Sequence, residues 1–175
     1  MGTLRRIAAM LVSSCALGAC DPSSTPLPVE SSPLPSGDPG TVACDTVIGG
    51  SAGPPTGSEA VLDDVVLPVG QILQPSPTGG SGSPRLFAKQ GLLVRAGARP
   101  ELRIPTDWDG RAWIAWGQLE PADVVTVSAC PPVGSDPWIA FAGGYYVDEP
   151  ACVPVVVRSG GREATVRIGI GVSCT

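Results

Sequence analysis

An all-β fold, an antiparallel β-sandwich of about eight or nine short strands, is what this chain predicts, and three observations carry it. Apolar and polar residues alternate with a period of two from residue 91 onward, turn residues recur every eight to twelve positions, and no segment carries a long 3.6-residue apolar stripe. An immunoglobulin-like arrangement is one form of such a sandwich, although Trp138 follows Cys130 by only eight residues and does not fit the cysteine and tryptophan spacing of that fold. A small closed barrel is the alternative.

Each element has its own warrant. Strands are expected near Val42 to Ile48 and Val61 to Val69, with Ala60 to Val66 the one place where a helical turn competes. Gln74 to Pro84 is rich in Pro, Gly and Ser and reads as a long exposed loop inside the domain. Next, Leu92, Val94 and Ala96 alternate with Leu93 and Arg95, and Leu102 and Ile104 alternate with Glu101 and Arg103. Arg111 to Gly117 and Trp138 to Val147 are further strands, and Val125, Val127 and Ala129 point one way while Val124, Thr126 and Ser128 point the other. Val153 to Arg158 is an apolar run, and in the last strand Val166, Ile168, Ile170 and Val172 are expected to face a core while Thr165, Arg167, Gly169 and Gly171 face outward. Ser159-Gly160-Gly161-Arg162 between them has glycines that suit a tight hairpin turn.

Ahead of this domain the composition changes twice. Arg5 and Arg6 precede an apolar run, Ile7 to Ala19, that is too short to span a bilayer, and Leu17-Gly18-Ala19-Cys20 closes it. This ending resembles the lipobox of bacterial lipoproteins, whose cysteine carries a diacylglyceryl group on its sulfur. The resemblance implies a signal peptide over residues 1–19, acylation of Cys20, and residence at the extracytoplasmic face of a cell membrane. Arg6 occupies the position where an N-myristoylation signal at Gly2 would need Ser or Thr. Each buried methylene contributes about 0.8 kcal/mol, so two or three acyl chains hold a domain at a membrane without a spanning helix. Residues 20–40 form a tether dominated by Pro, Ser, Thr, Gly and acidic residues. Fully extended, its roughly 20 residues at about 3 Å each reach ~60 Å. The β-sandwich domain is expected over 41–175.

Charge and cysteine usage narrow the function classes. The chain has 11 basic and 16 acidic residues; loss of Arg5 and Arg6 with the leader takes the net charge from −5 to −7. That balance argues against nucleic acid as a partner, because phosphates need a basic face to displace their counterions. Four cysteines remain in the domain, and an even number in an exported chain implies two disulfides. Cys130 with Cys152 and Cys44 with Cys174 is the favoured pairing, the first joining the flanks of a hairpin and the second tying first strand to last. Cys44 with Cys130 and Cys152 with Cys174 stays open.

Several segments, Gly91 to Gly97, Gly110 to Gly117, Trp138 to Val147, Glu149 to Arg158 and Gly169 to Cys174, are similar to exported lipoproteins of actinobacterial type for which no activity is known. The resemblance covers about the last half of the chain. It implies an anchored, disulfide-bonded, β-rich protein and transfers no functional residue.

Catalytic constellations are scarce. The chain has no histidine, which removes the Ser-His-Asp and Cys-His arrangements and most metal hydrolase sites. Lys89 is the one lysine, and Leu86 stands where a Ser-x-x-Lys motif needs serine. Asp63-Asp64 and Asp148-Glu149 are sequence neighbours, which point to opposite faces of a strand and make no facing carboxylate pair. Asp107-Trp108-Asp109-Gly110 has too few oxygens for a calcium loop and reads as a turn. Gly143-Gly144 reads as a bulge or a close backbone approach. No catalytic residue, metal or cofactor is assigned.

Aromatic residues are the remaining functional signal. Trp113 and Trp116 fall on opposite faces of one strand, as do Tyr145 and Tyr146, so one of each pair is expected outside. Trp108, Trp113, Tyr145 and Tyr146 are the candidate ligand-binding residues, able to stack on sugar rings or anchor a protein interface. The expected function is a non-enzymatic interaction or structural module of the cell envelope, with an envelope protein or glycan as partner. A carbohydrate-binding module is the alternative, and a histidine-independent enzyme the third reading. A flat strip of contiguous aromatics favours sugar; a broad apolar patch with a polar rim favours protein.

Overall fold

A computed structural model describes residues 40–174. The leader, Cys20 and the tether through residue 39 lie outside the described residues. Regular structure within them is all strand, apart from two 3₁₀ turns at Cys44–Thr46 and Thr106–Trp108. In chain order the strands are β1 (Thr41–Val42), β2 (Val47–Ser51), β3 (Glu59–Val61), β4 (Val65–Leu67), β5 (Ile72–Leu73), β6 (Ser76–Pro77), β7 (Leu86–Lys89) and β8 (Leu92–Arg95). They continue with β9 (Glu101–Arg103), β10 (Ala112–Trp116), β11 (Val124–Val127), β12 (Trp138–Phe141), β13 (Gly143–Val147), β14 (Ala151–Ser159) and β15 (Arg162–Ile170).

These strands form three sheets, ordered β1-β11-β9-β14-β15-β5, β10-β13-β7-β6 and β2-β12-β8-β4-β3. Two pairings are parallel, β1 with β11 and β15 with β5, each two residues long at a sheet edge. The arrangement is sandwich-like, and all three sheets turn one face to a common core. Leu102, Val125 and Val155 come from the first sheet, Ile114 and Tyr145 from the second, Val94 and Ile139 from the third. Burial of each large apolar side chain contributes about 1.5–3 kcal/mol.

Fifteen strands among the described residues stand against the eight or nine expected, because three expected strands are broken by local geometry and β5, β6 and β7 were not expected. β6, paired with β7, lies inside Gln74 to Pro84, which the sequence reads as a loop. Between Val61 and Val69 the chain turns on Leu62 and Asp63, both at positive φ, so one expected strand becomes the β3–β4 hairpin. Trp138 to Val147 divides after Phe141, and its halves join different sheets. At this corner a Cβ on Gly143 would lie 2.1 Å from the Ala115 carbonyl oxygen, and one on Gly144 would lie 2.1 Å from that of Ala88. Only glycine admits these contacts, the close approach expected there. Val42 to Ile48 is interrupted by the first 3₁₀ turn. The expected turn at Gly160-Gly161 is present and pairs Ser159 with Arg162. Val172, expected in the core, is exposed, because β15 ends at Ile170 and Gly171 takes a positive φ that turns the chain outward. Ala129 likewise lies beyond the end of β11 and is exposed.

The disulfides are Cys44–Cys130 and Cys152–Cys174, which corrects the favoured pairing of Cys130 with Cys152 and Cys44 with Cys174. Register explains both bonds. β1 runs parallel to β11 with Val42 opposite Val127, so the chain leaves both strands in the same direction and brings Cys44 to 5.4 Å (Cα–Cα) from Cys130. Cys152 lies opposite Gly169, and the turn at Gly171 folds the final residues back to place Cys174 at 5.3 Å. The flanks of Trp138 to Val147 diverge into separate sheets, which removes the hairpin that would have joined Cys130 to Cys152.

Candidate functional site

Because each sheet spends one face on the core, its outward positions form a surface of their own. On the four-stranded sheet, register places Trp113 opposite Tyr146, Tyr146 opposite Phe87 and Phe87 opposite Ser76. Three aromatic rings thus lie in one row across β10, β13 and β7, all half-buried. Phe87 and Tyr146 have ring centroids 4.6 Å apart and planes tilted by 34°. Gly144 makes room for this packing, since a Cβ there would come within 2.9 Å of the Phe87 ring. Lys89 is opposite Gly144 and exposed, adding a cation beside the row.

The four aromatic candidates separate. Trp113 and Tyr146 belong to the row. Trp108 lies outside it, on the second 3₁₀ turn, half-buried and packed against the core. The Arg111 guanidinium covers its ring at 4.2 Å, and Arg111 Nη2 donates to the Asp107 carbonyl at 2.9 Å. Tyr145 is not ligand-facing: it is fully buried, with its ring edge-on to Trp116 at 5.5 Å. Tyr145 is inside because β13 alternates, and its neighbour Tyr146 takes the outer face. Burial pushes the Tyr145 phenol well above its ordinary pKa, and its hydroxyl has no hydrogen-bond partner among the described residues. Of the tryptophan pair, Trp116 is the inner member, with its indole N–H donating to the Gln90 carbonyl at 2.9 Å. Phe87 escaped the sequence reading because it follows the proline-rich loop closely. The alternation of Phe87 and Lys89 with buried Ala88 is the signal that marks its strand.

The six-stranded sheet presents a different chemistry. Thr126, Glu101, Arg158 and Glu163 lie side by side across β11, β9, β14 and β15. Glu101 faces Arg103 at 3.1 Å and Arg158 at 3.4 Å, and Glu163 faces Arg158 at 2.6 Å. These carboxylates hold the Arg158 guanidinium in its charged form, Glu163 most strongly. A groove of about 440 Å³ opens where this row meets Arg99 and the β14–β15 turn. On the third sheet, Val66, Leu93 and Ala140 adjoin one another along a second groove of about 360 Å³, and Arg95 covers Trp138 at 4.6 Å.

Three of the four carboxylates in the sequence pairs are engaged by side chains distant in the chain. Asp64 accepts a hydrogen bond from the Ser159 hydroxyl at 2.7 Å, Asp63 faces Arg162 at 3.3 Å, and Asp148 accepts from Ser83. Among the described residues no group of three or more Cys, Asp or Glu side chains is placed to hold a metal ion. The aromatic row can offer apolar ring surface for stacking, and the arginine groove can offer charged donors. No protein-family model, curated protein or solved structure matches this chain.

Proposed function

We propose that this chain is a lipid-anchored extracytoplasmic module of the cell envelope that acts by binding and not by catalysis. The observation that carries the reading is Leu17-Gly18-Ala19-Cys20 at the end of a short apolar run, followed directly by a tether. Two disulfides support it, because such bonds persist in oxidising compartments. Metabolic labelling with a palmitate analogue, followed by mass spectrometry of the purified chain, tests it. Label on the wild type and none on Cys20→Ala is the expected result. An intact leader, or an unmodified thiol at a new amino end, overturns it.

A glycan partner is favoured by the row Trp113, Tyr146 and Phe87, because a strip of neighbouring rings on a sheet face matches the apolar face of a sugar. Co-sedimentation of the full chain with purified envelope glycan measures this. The double variant Trp113→Ala, Tyr146→Ala should lose at least about tenfold in affinity, equivalent to about 1.4 kcal/mol. Trp108→Ala should retain binding. Equal retention by the double variant removes the glycan reading and leaves an envelope protein as the partner.

A further inference from the structure

We propose that the groove at the turn end of the six-stranded sheet is a binding site for a phosphate-type oxyanion, separate from the aromatic row. The chain as a whole carries a net charge of −5, yet five of its eleven basic residues, Arg99, Arg103, Arg158, Arg162 and Arg167, lie on or beside this sheet. The concentration is a product of register. Outward positions of β9, β14 and β15 hold Arg103, Arg158 and Arg167, while the segment before β9 and the β14–β15 turn supply Arg99 and Arg162.

Charge pairing leaves one of the groove's guanidinium groups free. Arg158 is shared by Glu101 and Glu163, and Arg162 faces Asp63, but Arg99 makes no ion pair among the described residues. The turn adds donors of a second kind. Gly160 and Gly161 have φ of +55° and +74°, and neither N–H donates to a backbone carbonyl among the described residues. Free backbone N–H groups in a turn form a concave anion site, and a guanidinium adds a fork of donors. Arg99, Thr126, Gly160 and Gly161 come from three separate segments and line the same groove, and the two carboxylates that line it with them, Glu101 and Glu163, are already held by Arg158. Donors arriving from several directions suit a tetrahedral oxyanion better than a planar carboxylate, which one fork can satisfy.

The shared ligand chemistry is a phosphoryl group, whether free phosphate or the diester of a lipid headgroup or polymer. The test follows the melting temperature and the Gly160 and Gly161 amide resonances of the full chain at low ionic strength. Orthophosphate and glycerophosphoglycerol are titrated separately, with chloride at matched ionic strength as the reference. A saturable shift with either phosphate, weakened at least about tenfold in Arg99→Gln and retained in Arg85→Gln, supports the site. A response to the diester assigns it to a headgroup or polymer, and a response to orthophosphate alone assigns it to free phosphate. A shift equal in Arg99→Gln, or no larger than that with chloride, overturns the proposal.

Discussion

The aromatic face of the four-stranded sheet and the arginine face of the six-stranded sheet are both built from outward strand positions, but they are held by different means. Phe87 packs over Gly144 and against Tyr146, with the rings backed by β-strands whose spacing is set by main-chain contacts. The arginine face rests on long side chains, with Arg158 and Glu163 each about half exposed. Such pairs contribute about 0–1 kcal/mol each and are screened by salt. The first face is fixed by steric exclusion, and the second by exposed ion pairs that salt weakens.

This contrast can be broken first at the framework that both faces share. Replacing Cys44 and Cys130 together by Ser opens a loop closed by a separation of 86 residues, with an expected loss of about 4–5 kcal/mol by denaturant unfolding. A loss below about 1 kcal/mol would show that the parallel β1–β11 pairing holds without the crosslink. Gly144→Ala comes next. The added methyl meets the Ala88 carbonyl and the Phe87 ring, and an expected loss of about 3 kcal/mol should be accompanied by disruption of the aromatic row.

Tyr145 sharpens the comparison from inside. Its hydroxyl is buried without a partner, so Tyr145→Phe should be neutral or stabilising by about 1 kcal/mol at neutral pH. Burial raises the folded-state pKa above the unfolded value of about 10, so the unfolded chain ionises first. The stability contributed by this linkage is complete below about pH 10 and is lost as pH rises beyond it. Melting temperatures measured across alkaline pH should therefore fall less steeply in Tyr145→Phe than in the wild type. The smallest effect is expected at the arginine face, where Arg103→Gln should cost less than about 1 kcal/mol, against the larger cost of Gly144→Ala.

The sequence pattern reveals most of the strands, though not β5, β6 or β7, and the faces on which many residues lie. Alternation set Leu92, Val94, Leu102, Ile104, Val125 and Val127 on the opposite face from the residues between them, and all six are buried. It also separated Trp113 from Trp116 and Tyr145 from Tyr146, but it could not say which tyrosine was inner. That choice depends on which side of β13 meets the other two sheets. Nor could alternation reveal the aromatic row, because Phe87, Trp113 and Tyr146 are distant in sequence and become neighbours only through strand pairing. The disulfide pattern was hidden for the same reason: a parallel edge strand brings Cys44 to Cys130, while a corner at Gly143 carries the expected hairpin apart.

By itself the amino-acid sequence determined the all-β class, the Gly160-Gly161 hairpin, the need for glycine near residue 143 and four cysteines available for pairing. These are local properties, set by the two-residue side-chain period of a strand and by the steric demands of a turn. The tertiary structure alone decided the three-sheet order, the cysteine partners, the burial of Tyr145 and the placing of Arg99 and a distant glycine turn along one groove. Those are long-range pairings, chosen by the joint burial of all three inner faces in one core, and no local period encodes them.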